Sequence, residues 1–132
     1  MPQGLLGPPH VLVVDGDARA RADIAACLVA EGARTTQAAS SDEAMRCVAG
    51  RRFDAAVVDY GLAGVGGVVL IVLFRGLGNG RDLPVIVTSA LLGPARARAR
   101  VHAAHLPGTA FVDKPVDRHR LAMELHGLLA PA

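Results

Sequence analysis

Residues 11–17 read VLVVDGD. Four apolar residues, three of them β-branched, run without a break into an acid, a glycine and a second acid. An uninterrupted apolar run of this length suits a strand buried on both faces, and such strands belong inside parallel sheets. The pattern recurs along the chain. Residues 55–59 read AAVVD, so Ala55–Val58 is another buried strand that runs into an acid. Pro84 opens a further run, Val85–Thr88. Ala110–Val112 is the last, followed by Asp113, Lys114 and Pro115. Thr35–Ala38 is a weaker strand candidate.

Helical patterns fill the gaps. Residues 18–31 place Ile24, Cys27 and Leu28 at i, i+3 and i+4, and Gly32 stops that helix. Ser40 and Glu43 have the spacing of a capping box for a helix through about Ala49, ended by Gly50. A glycine-rich loop, GLAGVGG at 61–67, leads into an apolar segment over 68–75. Pro94 suits the first turn of a helix over about 95–105. Asp117 caps a last helix in which Leu121, Leu125 and Leu128 share a face. Five βα units of this kind predict a three-layer α/β fold, a five-stranded parallel sheet covered on both sides by about five helices. In such sheets a site forms at the carboxyl ends of the strands, near a switch in strand order.

Composition narrows the function classes. The chain has 132 residues, of which 52% are hydrophobic and 20% charged, so it has a real core and is not a disordered segment. A net charge of +2 is too small to imply nucleic acid without a concentrated patch. The longest apolar run, Val68–Phe74, is far short of the roughly 20 residues that span a membrane. The first ten residues have neither the positive flank nor the apolar stretch of a secretion signal. Residues 1–9 read as a loose Pro/Gly arm before a domain over 10–130. Cys27 and Cys47 have no CxxC partner and suit small apolar positions in a reducing cytoplasm.

The strand ends carry the chemistry. Strand one runs into Asp15, strand three into Asp59, and strand four ends on Thr88. Lys114 follows strand five. Two carboxylates, a hydroxyl and an ammonium collected at one sheet edge suit phosphoryl transfer. A carboxylate can act as nucleophile and form an acyl phosphate. Mg²⁺ needs only one or two carboxylates when phosphate oxygens and waters complete its shell. A lysine and a hydroxyl offset and anchor the phosphoryl oxygens.

VLVVDGD, AAVVDYGLAGVGG, PVIVTSA and GTAFVDKP together resemble the four signature segments of bacterial response-regulator receiver domains of the CheY-like, two-component kind. The resemblance covers roughly residues 10–130. It implies the flavodoxin-like sheet order 2-1-3-4-5, an order for which a member of this family serves as the standard example. It implies a phosphoacceptor module, not an enzyme, with Asp59 phosphorylated from a histidine kinase or phosphotransfer protein. Asp15, Asp59 and the backbone carbonyl of Gly61 would hold Mg²⁺. Lys114 would pair with the phosphoryl group, and Thr88 and Phe111 would be the switch pair. Output contacts would use the fourth helix, fifth strand and fifth helix.

Three departures stand out. The family usually has a second acid where this chain has Gly16. A carboxylate about 4 Å from a dication attracts it by about 8 kcal/mol at an effective dielectric of about 20, much of it offset by desolvation. Every ~1.4 kcal/mol left over is tenfold in affinity, so the expectation is weakened Mg²⁺ binding. Asp17 either compensates by turning inward or starts the first helix, where its charge suits the positive end. Ala63 replaces a common proline, which predicts a looser loop. VVLIVLF at 68–74 is either a mostly buried helix or an exposed apolar patch where a partner or a second copy docks.

These departures also fit an interaction or dimerisation module that keeps the fold and works without phosphorylation. The presence of Asp59, Thr88 and Lys114 together favours the phosphoacceptor. Arg96, Arg98 and Arg100 read as a solvated face or a docking surface, with Arg118 and Arg120 adding charge. No aromatic residues interleave with them, which leaves direct nucleic-acid binding unsupported. His102 and His105 have no nearby acid or cysteine to complete a metal site and read as surface residues.

Overall fold

Every expected strand is present in the computed structural model, which describes residues 7–130. The strands are β1 (His10–Val14), β2 (Arg34–Ala38), β3 (Ala55–Asp59), β4 (Val85–Ser89) and β5 (Thr109–Asp113). They form one sheet in the order β2-β1-β3-β4-β5, with every neighbouring pair parallel. The helices are α1 (Ala18–Ala30), α2 (Ser41–Gly50), α3 (Gly67–Arg75), α4 (Gly93–Ala104) and α5 (Arg118–Leu129). A single 3₁₀ turn covers Gly78–Gly80. Residues 1–6 of the expected arm lie outside the described residues.

The apolar runs are uninterrupted because two cores lie one on each side of the sheet. Leu12, Val14, Ala56, Val58, Val85 and Val87 face the core shared with Val48, Leu70, Ile71 and Phe74. Val11, Val13, Ala55, Val57, Ile86 and Val112 face the opposite core, with Ile24, Leu28, Leu121 and Leu125. Successive strand residues point to opposite faces, so a strand between two cores must be apolar at every position. β2 reads RTTQA because it is an edge strand, and only Ala38 in it is buried.

The capping signals hold locally. Asp17 accepts from the amides of Arg19 and Ala20 at the start of α1, and Gly32 follows its end with φ +93°. The Ser40 hydroxyl accepts from Glu43 N at 3.2 Å, and Asp117 caps α5. Some boundaries differ from expectation. Gly50 is the last residue of α2, and α4 begins at Gly93 with Pro94 in its first turn. β3 and β4 each run one residue further, to Asp59 and Ser89, because the parallel ladder continues through the pairs Asp59–Thr88 and Ser89–Asp113.

α3 is divided between the two expectations for it. Leu70, Ile71 and Phe74 are completely buried, whereas Val69, Val72 and Leu73 are roughly half exposed. Its one charge, Arg75, turns inward. The guanidinium donates to the carbonyls of Gly80 at 3.2 Å, Leu83 at 2.5 Å and Pro107 at 2.8 Å. Burial lowers its pKa. The arginine therefore ties the end of α3 to the segments before β4 and β5. Among the described residues, no helix is long and apolar enough to cross a membrane.

Candidate functional site

β1, β3, β4 and β5 are adjacent and parallel, so their carboxyl ends share one edge. That geometry brings Asp15, Asp59, Thr88 and Lys114 together from positions far apart in sequence. Asp15 is buried at 1% exposure and is anchored on both oxygens. Its Oδ1 accepts from Asp17 N at 2.9 Å, and its Oδ2 accepts from Lys114 Nζ at 2.7 Å. The same ammonium donates to Asp59 Oδ1 at 3.1 Å. Lys114 thus bridges the two carboxylates, and the three groups together carry a formal charge of −1.

Burial alone would lower the Lys114 pKa. The hydrogen bond to Asp15 and the charge of Asp59 more than reverse that, so the pKa is raised and the group stays an ammonium. Beside it, Asp59 pairs with Thr88 across the β3–β4 ladder, and Tyr60 N donates to Thr88 O at 2.8 Å. Thr88 Oγ1 is buried and has no hydrogen-bond partner, the one such side-chain atom among the described residues. An unsatisfied buried hydroxyl costs about 1–3 kcal/mol, so Thr88 stands out among the buried polar groups of the described residues.

The two aspartates and the Gly61 backbone are oxygen donors of the kind a hard divalent cation takes, and two carboxylates suffice for Mg²⁺ when phosphate oxygens and water add the rest. The donor set fits the ion. Gly61 N lies 3.4 Å from Asp59 Oδ1, which keeps this turn against the aspartate. Asp17 does not join the group. It is exposed and its carboxylate caps α1, and Gly16 between the acids is exposed as well.

Residues 11–126 match the response regulator receiver domain. The chain belongs to that family. The receiver domain of the sensor histidine kinase PA1611 from Pseudomonas aeruginosa, a structure with magnesium coordinated in its active-site cleft, is 25% identical. It superposes with a TM-score of 0.80, covering 93% of this chain and 98% of that one. The chemotaxis response regulator CheY4 of Vibrio cholerae shares the fold at 20% identity and a TM-score of 0.81, over 93% of this chain and 100% of that one. Protein PetR of Rhodobacter capsulatus is 25% identical over 122 residues, which is 92% of this chain. The chain spans about half, 49%, of the length of PetR. This is a receiver domain of two-component signalling, with the CheY-like fold.

Within this receiver domain, several contacts that sequence reading missed lie on α4, β5 and α5. Phe111 is buried at 8% exposure beneath two arginines, with Arg100 5.3 Å and Arg96 6.0 Å from its ring centroid. Arg96 also forks onto Asp113 at 2.6 and 2.7 Å, and that hydrogen bonding holds the Asp113 pKa below the usual carboxylate range. Arg96 is therefore a partly exposed clasp between α4 and β5. Arg118 and Arg120 pair with Glu31 and Glu124. His102 is a surface residue, but its Nδ1 lies 2.9 Å from the Tyr60 hydroxyl, which links α4 to the residue after Asp59.

Gly67 is the other missed residue. A Cβ there would lie 2.4 Å from Asp59 O and 2.9 Å from Tyr60 Cα. Its amide donates to Tyr60 O at 3.1 Å. The start of α3 therefore rests directly on the backbone of Asp59. Sequence reading treated GLAGVGG as a loosened loop, yet Gly67 answers a steric demand. Gly67→Ala is expected to destabilise the fold by about 2 kcal/mol, because the obstacle is backbone and cannot swing aside. Urea unfolding tests this, and an unchanged midpoint would contradict it.

Proposed function

We propose that this receiver domain accepts a phosphoryl group on Asp59 from a phosphohistidine of a histidine kinase or phosphotransfer protein. A carboxylate oxygen of Asp59 attacks phosphorus, the P–N bond to the donor imidazole breaks, and that nitrogen leaves with the electron pair. The observation that carries the reading is the unpartnered Thr88 hydroxyl beside an Asp15–Lys114–Asp59 cluster. Thr88 Oγ1 would donate to a phosphoryl oxygen, and the Lys114 ammonium would offset the added charge. Asp15, Asp59 and the Gly61 carbonyl would hold Mg²⁺, which supplies further charge neutralisation when bound. The magnesium in the PA1611 receiver domain supports that assignment.

An apolar cavity of about 340 Å³ opens beside Lys114, lined by Ala20, Ile24, Cys27, Ala90 and Pro115. It offers a donor protein a foothold next to the carboxylates. The output would follow from Thr88 and Phe111 moving with the phosphoryl group, which would disturb the Arg96–Asp113 clasp and the α4–β5–α5 surface. The test is treatment with a small phosphodonor and Mg²⁺, read by intact mass. A gain of one phosphoryl group that disappears in Asp59→Asn is expected. No adduct at saturating Mg²⁺ would instead make the chain an interaction module that works without phosphorylation.

A further inference from the structure

Tyr60, the residue after Asp59, is bonded to β4, α3 and α4. Its backbone is fixed on two sides. The amide donates to Thr88 O at 2.8 Å, and the carbonyl accepts from Gly67 N at 3.1 Å. A Cβ at Gly67 would lie 2.9 Å from Tyr60 Cα, so the start of α3 packs hard against this residue. The side chain reaches away to α4. Its hydroxyl lies 2.9 Å from His102 Nδ1, and its ring stacks on the imidazole at an interplanar angle of 19°. Among the described residues, two side chains of α4 hydrogen-bond outside their own helix. Arg96 bonds to Asp113, at the end of β5, and His102 bonds to Tyr60, just past the end of β3. β4 lies between those two strands, so α4 is pinned on both flanks of the strand that leads into it.

We propose that the Tyr60–His102 pair is a latch that holds α4 against movement relative to the Asp59 loop. Its consequence for signalling rests on the phosphoacceptor reading above. Tyr60 is tied to Thr88 O and Gly67 N, so it does not share a shift of α4 relative to the sheet. Any such shift parts the phenol from the imidazole. A phosphoryl group on Asp59 would offer an acceptor to Thr88 Oγ1, which has no partner in the arrangement described. Leu91 N donates to Ser89 Oγ at 3.0 Å, so the segment entering α4 is coupled to the end of β4 that carries Thr88. The latched and shifted arrangements then differ by the Tyr60–His102 contact on one side and the Thr88–phosphoryl contact on the other. A contact made in one arrangement only is what couples two sites. Breaking the latch raises the population that binds a phosphoryl group well.

The test is titration of the full chain with beryllofluoride, a phosphoryl mimic, at saturating Mg²⁺, followed by NMR of the backbone amides. Tyr60→Phe, which keeps the ring, and His102→Ala should each bind the mimic about three- to tenfold more tightly than the native chain, the worth of one hydrogen bond. The double variant should gain no more than the stronger single one, because both changes remove the same contact. His105→Ala is the control and should leave the affinity unchanged, since His105 Nδ1 bonds to Val101 O of its own helix at 2.7 Å. A contact that only stabilised the fold would lower the urea midpoint and leave the affinity for the mimic alone. Unchanged or weaker binding by both single variants would therefore overturn the latch. A native chain that takes no beryllofluoride sinks the phosphoacceptor reading, and hydrogen exchange then decides the latch separately. Faster exchange of the α4 amides in both variants would still support it, and unchanged exchange would overturn it.

Discussion

Magnesium binding is expected to tighten about ten- to hundredfold when Gly16 is replaced by aspartate, equivalent to about 1.4–2.8 kcal/mol. The backbone does not require glycine at this position. Its φ is not positive, and an added Cβ would meet only Ala39 O, at 3.8 Å. A side chain there is therefore tolerated without strain, next to a buried Asp15. The native cluster offers the cation a net charge of −1, two carboxylates less one ammonium, and the substitution makes it −2. Each such charge is worth several kcal/mol before desolvation at the effective dielectric of a protein site. Isothermal titration calorimetry with MgCl₂ gives the answer directly. Equal or weaker binding by Gly16→Asp would show that a carboxylate at 16 does not reach the ion.

Lys114→Met is expected to cost about 3–5 kcal/mol of stability, the largest effect at the site. It leaves Asp15, which is almost wholly buried, and Asp59 as two neighbouring carboxylates without their shared cation. The same variant should bind Mg²⁺ more tightly than the native chain, because a cation at the two carboxylates would no longer compete with the Lys114 ammonium. It should recover stability as MgCl₂ is added, by mass action on the folded state. Urea unfolding with and without the metal separates the two effects. A Lys114→Met protein as stable as the native one in metal-free buffer would contradict the account.

The parallel sheet was legible because the evidence for it is local and repeated, whereas its strand order came from the resemblance to receiver domains. VLVV, AAVV and VIV are short, apolar and largely β-branched, which suits strands covered on both sides, and the acids that follow two of them mark one edge. The capping roles of Ser40 and Asp117 were readable for the same reason, since each depends on residues two or three places along. What was not legible depends on packing at long range. Arg96 meets Asp113 and Arg75 meets Pro107 only once α4 and α3 lie against the sheet. Val68–Phe74 has too few polar residues to reveal which side of α3 faces the core. Gly67 looked like one glycine among several, because the carbonyl it makes room for, that of Asp59, is eight residues earlier and returns only through the turn. Gly16 was visible as a missing acid, but the spare room around it was not.

The sequence holds one tyrosine and no tryptophan. That tyrosine is Tyr60, directly after Asp59, with its hydroxyl against His102 Nδ1 and its ring stacked on the imidazole at 6.2 Å. All of the chain's phenolic absorbance and emission therefore originates one residue from the carboxylate proposed to take a phosphoryl group. The protein carries its own optical probe, unlabelled, between the Asp59 carboxylate and α4, and any event that parts Tyr60 from His102 changes the light it emits.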